Sequence, residues 1–252
     1  MSGILVPIDF SDSSAHSLQY ACHIARSKGM ELTFLHCYSS DVYNRRFDFQ
    51  EVDYEKGVKG KLVDFYKKHK VGALTKIRVL AAKGTLVEKV ISISPKFDLI
   101  VISGHDFSRT SNKFLGSRSL MIVSGVHCPV VIVPVAGPFR EWNKVWHIKR
   151  KENESLILKP FLEQLKLNPD SVQIKSMLQI SFTSKFWQSI VGFVKTKKEN
   201  IRQSILNEIS SEELDLLVLV SHRKSSFQRF VNDDPLHVVF QFGIPILICQ
   251  AK

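Results

Sequence analysis

The sequence has few cysteines and no long hydrophobic run, and these two absences narrow the class of protein it encodes. Its apolar runs, such as PVVIVPV, are far shorter than the roughly 20 residues of a membrane-spanning helix. The N-terminal MSGILVPIDF lacks the cationic and apolar regions of a signal peptide. The four cysteines stand far apart among apolar residues, without CxxC or disulfide-framework spacing: Cys22, Cys37, Cys128 and Cys249. We therefore expect a cytoplasmic protein with reduced, packed thiols and no membrane partner.

Motifs of metal and nucleophilic chemistry are also missing. The sequence has no HxH, HExxH or carboxylate pair that indicates a metal centre. No serine or cysteine nucleophile stands at a recognisable spacing from a base and an orienting acid. His105 and His222 recur at equivalent loop positions, but a structural hydrogen-bonding role accounts for them better than catalysis. We expect no catalytic residue, no protein metal centre and no enzyme.

Basic residues outnumber acidic ones, as they do in many proteins that bind an anionic partner. The formal net charge is +11. Residues 1–139 contain 18 Lys and Arg against 12 Asp and Glu, and the remainder contains 17 against 12, so the excess (+6 and +5) is shared by both halves. The densest basic stretches, YKKHK, HIKRK and VKTKK, lack interleaved aromatic residues. This pattern favours a solvated basic surface over nucleic-acid binding.

Two segments of the chain resemble each other. The first runs from Asp98 to Val135 and the second from Asp215 to Gln250. Both contain an aspartate before an apolar strand, a histidine in the following loop, and a proline before a last apolar strand. The equivalent residues are Asp98 and Asp215, His105 and His222, and Pro129 and Pro245. This order predicts a tandem duplication, with domains at 1–138 and 139–252 joined by a linker at 136–143.

Strand and helix patterns alternate along the first half. The predicted strands are 4–8, 31–38, 76–82, 98–102 and 130–135. The predicted helices follow DFSDSS, surround Val58, Leu62 and Phe65, and span 85–93 and 117–124, and Gly29 is a predicted helix C-cap. In the second half we expect strands at 145–149 and 171–180 and helices at 153–167 and 199–210, with 181–198 undecided. Alternation of this kind predicts an α/β fold whose parallel sheet has helices on both faces.

In such a fold, ligands bind outside the carboxyl ends of the strands, near the point where the strand order reverses. Asp9, Cys37 and the loop that begins at Ser103 all follow predicted strands at this edge. The sequence therefore predicts a binding site there.

The segments VPIDFSDSS, LTFLHCY and the loop containing Gly116 and Ser117 resemble the universal stress protein family in its tandem two-domain form. The resemblance covers nearly all of residues 1–138, covers 199–252 more weakly, and rests on position between them. It implies a Rossmann-like, doubly wound five-stranded sheet in each repeat, as in adenine nucleotide alpha hydrolases, with a degenerate second repeat. It also implies pairing through the last strands and, in many members, ATP binding.

The resemblance assigns the nucleotide-site positions to particular residues. Pro7 and Asp9 stand beside the adenosine moiety, and Cys37 meets adenine through its backbone. Gly116 and Ser117 open a helix whose terminal amides suit an anion. The alternatives from the residues alone are a turn or capping role for Asp9, and an ordinary turn with an N-cap for Gly116 and Ser117.

The predicted phosphate loop departs from the family pattern of Gly, two residues, Gly, nine residues, then Gly-Ser or Gly-Thr. Ser103 and Asp106 stand where the first two glycines are expected, with Gly104 and His105 between them. Glycines let backbone amides approach phosphates. Asp106 adds a side chain and a like charge, worth about 4 kcal/mol of repulsion per pair at 4 Å and an effective dielectric near 20. Mg²⁺ held by Asp106, or the basic side chains Arg109, Lys113 and Arg118, would offset part of it.

The second repeat keeps none of this loop, and we expect no nucleotide there. Its last strand, ILIC, is predicted to pair with VVIV of the first repeat, which would cover two sheet edges. The function expected is a stress-linked, non-catalytic regulator with weak or vestigial ATP binding and an unknown protein partner. The alternatives are a scaffold that has lost the nucleotide, a slow ATP hydrolase and a nucleic-acid binder. Formation of a homodimer is left open.

Overall fold

The computed structural model describes residues 3–39, 51–72, 76–104, 117–134, 137–149, 152–176, 214–221 and 243–251. Met1–Gly104 and Ser117–Val135 belong to one compact unit, and Ala136–Lys252 belong to a second. The domain ranges 1–138 and 139–252 stay a prediction. The doubly wound α/β class expected from the sequence is confirmed, because within each unit every described strand pair is parallel.

The first unit contains a sheet in the order β3-β2-β1-β4-β5. Every strand predicted for this half is present to within one or two residues. The elements in chain order are β1 (Gly3–Pro7), α1 (Asp12–Lys28), β2 (Glu31–Tyr38), α2 (Glu51–His69), β3 (Ile77–Lys83), α3 (Leu86–Ile93), β4 (Leu99–Ser103), α4 (Ser117–Gly125) and β5 (Val130–Val133).

Burial differs between the strands of the first unit. Strands β1, β4 and β5 are almost entirely buried, as their continuous apolar sequences predict. Strand β3, in contrast, is exposed or half-buried along its whole length.

Helix α1 is defined by caps at both ends. The Ser11 side chain accepts a hydrogen bond from the backbone N–H of Ser14, which satisfies one of the unpaired amides of the first turn. At the other end Gly29 adopts the left-handed conformation, with φ of 67°, and its N–H donates to the carbonyl of Ala25. A side chain at Gly29 would be strained there, so the predicted C-cap is confirmed.

The second unit has a sheet in the order β9-β8-β6-β7 among its described strands. Predicted helix 199–210, the undecided segment 181–198 and the end of predicted strand 171–180 lie outside the described residues. The predicted pairing of ILIC with VVIV stays a prediction. The elements are β6 (Val145–Lys149), α5 (Glu154–Gln164), β7 (Val172–Ser176), β8 (Leu216–Ser221) and β9 (Ile246–Gln250).

A pair of aspartates performs the same structural task in both units. In the first, the Asp98 carboxylate accepts from the backbone N–H of Gly3 at 2.6 Å, and the N–H of Asp98 donates to the carbonyl of Gly3. In the second, Asp215 accepts from the N–H of Lys144 at 2.9 Å, and its own N–H donates to the Lys144 carbonyl. Each aspartate thus fixes the start of the neighbouring strand. The equivalence of Asp98 and Asp215 is confirmed as a structural one.

This equivalence aligns the two units residue by residue along their first strands. Since Gly3 corresponds to Lys144, Val6 corresponds to His147. Val6 is fully buried and apolar, whereas His147 is buried with its Nε2 3.3 Å from a carboxylate oxygen of Glu154, in the first turn of α5. The second unit therefore has a polar contact where the first has an apolar core position.

Candidate functional site

The strand order of the first unit reverses between β1 and β4. Moving outward from β1, the sheet continues to β2 and β3 on one side and to β4 and β5 on the other. Because parallel strands end at the same edge, the residues after Pro7, Tyr38 and Ser103 face a common region. Ligands of doubly wound folds bind in the crevice at this kind of reversal.

Asp9 lies in the turn between β1 and α1 and holds the N-terminus of that helix. One oxygen of its carboxylate, Oδ1, accepts from the backbone N–H of Ser11 at 3.0 Å and from the Ser11 hydroxyl at 2.5 Å. Ser11 is itself the N-cap of α1. The capping or turn role considered for Asp9 is therefore present in the structure. Only one carboxylate oxygen takes part in these bonds, and Asp9 is exposed.

The ionised form of Asp9 is favoured by this arrangement. Partial burial raises the pKa of the carboxyl, but the hydrogen bonds from the Ser11 hydroxyl and backbone N–H lower it by more, so the pKa lies below its ordinary value. Asp9 is a fixed negative charge at neutral pH. It would attract ribose hydroxyl donors and repel phosphate.

Phe10 has a backbone conformation that is uncommon for its residue type. Its φ is 65°, in the left-handed region, which costs a non-glycine residue about 1–2 kcal/mol. The ring is tilted against His36, with centroids 4.7 Å apart, and meets Phe65 edge-on at 5.5 Å. These contacts offset the strain and fix the turn that carries Asp9.

His36 connects the second strand to the same turn. Its Nδ1 lies 2.7 Å from the carbonyl oxygen of Ile8. A carbonyl only accepts hydrogen bonds, so Nδ1 carries the proton and donates it. Ile8 also donates its N–H to the Leu35 carbonyl at 2.8 Å, which is the last rung between β1 and β2. Ile8 is thus held by both the backbone and a side chain of β2.

The backbone polar groups of Cys37 point toward β1. Alternate residues of a strand direct these groups to opposite neighbours. Leu32 and Tyr38 bond toward β3, at Lys76 and Gly84, whereas Leu35 bonds toward Ile8. Cys37 follows the alternation of Leu35, and β1 ends at Pro7, so the N–H and C=O of Cys37 face the space beyond that end.

The Cys37 thiol is not an activated nucleophile. Partial burial raises its pKa to about 11, and the positive charge of Lys89 opposes this only in part. All four cysteines are free thiols, and three of them are buried. Burial of Cys22, Cys128 and Cys249 agrees with the expectation that the cysteines pack among apolar residues, and their reduced state stays a prediction.

The predicted phosphate loop is described only at its two ends. Ser103 is the half-buried last residue of β4, and the N–H of the next residue, Gly104, donates to the Val133 carbonyl at 2.8 Å. That amide is engaged in the sheet, so it is not a phosphate ligand. Ser117 is the first residue of α4. His105, Asp106, Gly116 and the side chain of Ser117 lie outside the described residues, and their assignment to the site stays a prediction.

Sequence reasoning missed Phe10 and His36. The sequence signal for His36 is a polar residue within the largely apolar strand LTFLHCY. The signal for Phe10 is weaker, since no residue type in the segment IDFS indicates a positive φ. Among the described residues no group of three or more His, Cys, Asp or Glu side chains is arranged to hold a metal ion. No described helix combines the length and the apolar character that crossing a membrane requires.

Two solved structures that align with nearly the whole chain have this fold, and a third aligns with about half of the chain. A universal stress protein from Archaeoglobus fulgidus DSM 4304 is 15% identical, with a TM-score of 0.60, over 98% of this chain and 96% of that one. A functionally unknown protein from Pseudomonas aeruginosa PAO1 is 10% identical, with a TM-score of 0.50, over 99% of this chain and 92% of that one. A universal stress protein from Archaeoglobus fulgidus, solved in complex with dAMP, is 19% identical with a TM-score of 0.39, over 52% of this chain and 97% of that one.

The sequence comparisons agree for the first unit. No curated protein sequence matches the chain. The pattern of the Universal stress protein family matches residues 1–134, which is more than half of the sequence. The resemblance seen in VPIDFSDSS and LTFLHCY is therefore confirmed, and this chain belongs to the universal stress protein family.

Proposed function

We propose that the chain is a non-catalytic regulator in a stress response, whose first unit binds the adenosine part of an adenine nucleotide weakly. The observation that carries this proposal is the pair of groups at the strand reversal. The Cys37 backbone presents an N–H and a C=O past the end of β1, a donor and acceptor suited to an adenine edge. The second carboxylate oxygen of Asp9, Oδ2, takes no part in the bonds to Ser11 and is an acceptor suited to ribose hydroxyls.

The adenosine half of the site favours binding, whereas the phosphate half opposes it. Asp9, in the turn after β1, is ionised, and Asp106 is a carboxylate within the phosphate loop. The backbone N–H of Gly104 is already bonded to the Val133 carbonyl. Each of these features opposes a polyphosphate. Affinity should therefore fall from adenosine to AMP to ATP, with Mg²⁺ reducing the penalty for ATP because it screens the phosphate charge.

Titration calorimetry with adenosine, AMP and ATP, with and without Mg²⁺, tests this order. The double variant Ser103→Gly/Asp106→Gly restores the family glycines and should raise ATP affinity by at least about 10-fold while leaving adenosine affinity unchanged. Asp12→Asn also removes one negative charge and is the control for the charge lost with Asp106, since Asp12 is exposed in the first turn of α1. Wild-type binding that strengthens with each added phosphate would overturn the proposal.

A scaffold without any ligand is the second candidate, and one observation favours it. The bonds of Asp9 to Ser11 account for an aspartate at this position, because they stabilise the turn whether or not a nucleotide binds. In this case none of the three ligands binds at millimolar concentration, and restoring the glycines does not create a site. A slow hydrolase would instead release phosphate from ATP in a manner abolished by Asp9→Asn.

A further inference from the structure

The first unit has an edge strand, β3, with positively charged side chains near the amino-terminal end of that strand. Strand β3 is the last strand on its side of the sheet, and among the described residues no strand lies beyond it. Its first residues are exposed, including Ile77, whose side chain is 41% accessible. We propose that the outer edge of β3 docks an extended, acidic peptide segment of a partner protein, which adds to the sheet as a further strand.

The backbone of β3 has alternating directions. Lys76 and Gly84 bond toward β2, at Leu32 and Tyr38, so the even-numbered residues between them face β2 as well. The odd-numbered residues Ile77, Val79 and Ala81 therefore direct their N–H and C=O groups outward. This row of donors and acceptors, two residues apart, matches the backbone of an extended peptide.

Two basic side chains lie at the start of this edge strand. Lys76, just before β3, and Arg78 of β3 share one acidic partner, the carboxylate of Glu31, at 3.6 and 3.5 Å. Both cations remain mostly exposed, at 70% and 63%, whereas Glu31 is only 22% exposed. One carboxylate balances two cations, so this part of the edge has unbalanced positive charge.

The ends of α1 and α2 contribute further charge. The Arg26 guanidinium lies against Gly72, so closely that a side chain at Gly72 would collide with it. Gly72 follows the last turn of α2, where exposed Lys67, Lys68 and Lys70 are close to one another in sequence, with Asp64 as the acidic neighbour of Lys67. Helices α1 and α2 end just before β2 and β3 begin, so they place further positive charge on the side of the sheet where β3 starts.

These features favour an acidic peptide over other occupants. A second copy of this edge would add its own excess of positive charge to the paired strands, and like charges across paired strands are destabilising. Nucleic acid would use the cations but not the row of backbone groups. The ring of Tyr66, near the end of α2, is buried beneath Lys70 and does not offer a stacking surface for bases.

The full chain can be tested with a fluorescein-labelled ten-residue peptide that alternates Glu with Val and Thr, by fluorescence anisotropy. A peptide with Lys in place of Glu is its control. The Glu peptide should bind saturably and the Lys peptide about 10-fold more weakly or not at all. Lys76→Gln/Arg78→Gln should weaken binding by about 10-fold, whereas the charge-matched control Lys96→Gln/Lys159→Gln should change it less than about 2-fold.

Val79→Pro tests strand addition separately from charge. It removes an outward N–H and no bond to β2, a placement that edge strands tolerate. The affinity for the Glu peptide should fall about 10-fold in Val79→Pro. It should not fall in Val79→Thr, which keeps the N–H. Should Val79→Pro fail to fold, hydrogen exchange in the wild type decides: the peptide should protect the amides of Ile77, Val79 and Ala81.

The negative outcomes are equally definite. No binding of the Glu peptide at millimolar concentration overturns the proposal. So does binding that Val79→Pro leaves unchanged without protection of the three amides. If a DNA oligonucleotide binds more tightly than the peptide and depends only on Lys76 and Arg78, the edge is a polyanion surface rather than a strand-docking site. Concentration-dependent self-association that is lost in Lys76→Gln/Arg78→Gln would assign the edge to a second copy instead.

Discussion

The two units use the same strand arrangement but differ in what they add to it. Both fix a strand start with an aspartate, Asp98 in the first and Asp215 in the second. Only the first adds a capped helix after its first strand, where Ser11 bonds to Ser14 and to Asp9. At the equivalent point of the second, the Asn153 side chain makes no capping hydrogen bond within the described part of the chain. The shared features hold the sheet, and the differing ones surround the candidate site.

The buried contact between His147 and Glu154 should give the largest effect in a test of this comparison. Glu154→Leu leaves the imidazole of a fully buried histidine without that carboxylate and should lower the free energy of unfolding of the second unit by about 3 kcal/mol. The double variant His147→Leu/Glu154→Leu makes the position apolar, as Val6 is, and should recover most of the loss. Urea unfolding measures both, with Glu163→Leu on the exposed face as the control. If the double variant is no more stable than Glu154→Leu, the position does not accept an apolar pair, and its equivalence to the apolar Val6 is contradicted.

The two aspartates should give a smaller and equal loss. Asp98→Ala and Asp215→Ala each remove a charged acceptor of backbone N–H groups, which corresponds to about 2 kcal/mol. Hydrogen exchange of amides in β1 and β6 reports the loss unit by unit, and Asp64→Ala, exposed on α2, is the control. Unequal losses would show that the two residues are equivalent in geometry but not in energy.

Capping should distinguish the two helices by a still smaller amount. Ser11→Ala removes the hydrogen bond to the Ser14 amide and should cost about 1 kcal/mol in the first unit. Asn153→Ala should cost less than about 0.5 kcal/mol, since no capping bond is lost. Thermal unfolding of both variants gives the comparison. A loss from Asn153→Ala as large as that from Ser11→Ala would mean that the two helix starts are energetically alike.

The pH dependence of Asp9 should be the smallest effect. Its pKa is lowered in the folded protein, so its contribution to stability is present above the unfolded-state value, near 3.8, and is lost as the pH falls through the lower folded-state value. Asp9→Asn should therefore be destabilising at pH 7, by less than about 1 kcal/mol, and neutral at the most acid pH that keeps the fold. Urea unfolding at both pH values is the measurement, and a difference that grows on acidification would contradict the sign.

Most of the fold was accessible from the sequence because its signals are local. Ser11 and Gly29 bound α1, and continuous apolar runs indicate the central strands. The start of β3 at Ile77 rather than Lys76 is a shift of one residue at an edge, where burial gives no sharp signal. Helix α5 accommodates Pro160, which propensity alone disfavours, because packing of the buried Leu158 stabilises the helix.

The candidate site was less accessible, for a physical reason. The segment DFSDSS offers several carboxylates and hydroxyls that could cap a helix. The choice of Asp9 with Ser11 depends on the positive φ of Phe10, which is in turn held by His36 and Phe65. The contact of His147 with Glu154 likewise joins a strand to a helix. Such contacts depend on tertiary placement, which the sequence pattern does not contain.

The strand-fixing aspartates have a consequence for comparing the two units. Asp98 and Asp215 occupy the same place relative to their sheets, whereas the turn bonds of Asp9 and Ser11 have no counterpart among the described residues between β6 and α5. A carboxylate that fixes the start of a strand serves the sheet whether or not a ligand binds, so residues of this kind are the positions by which two dissimilar sheets in one chain can be aligned.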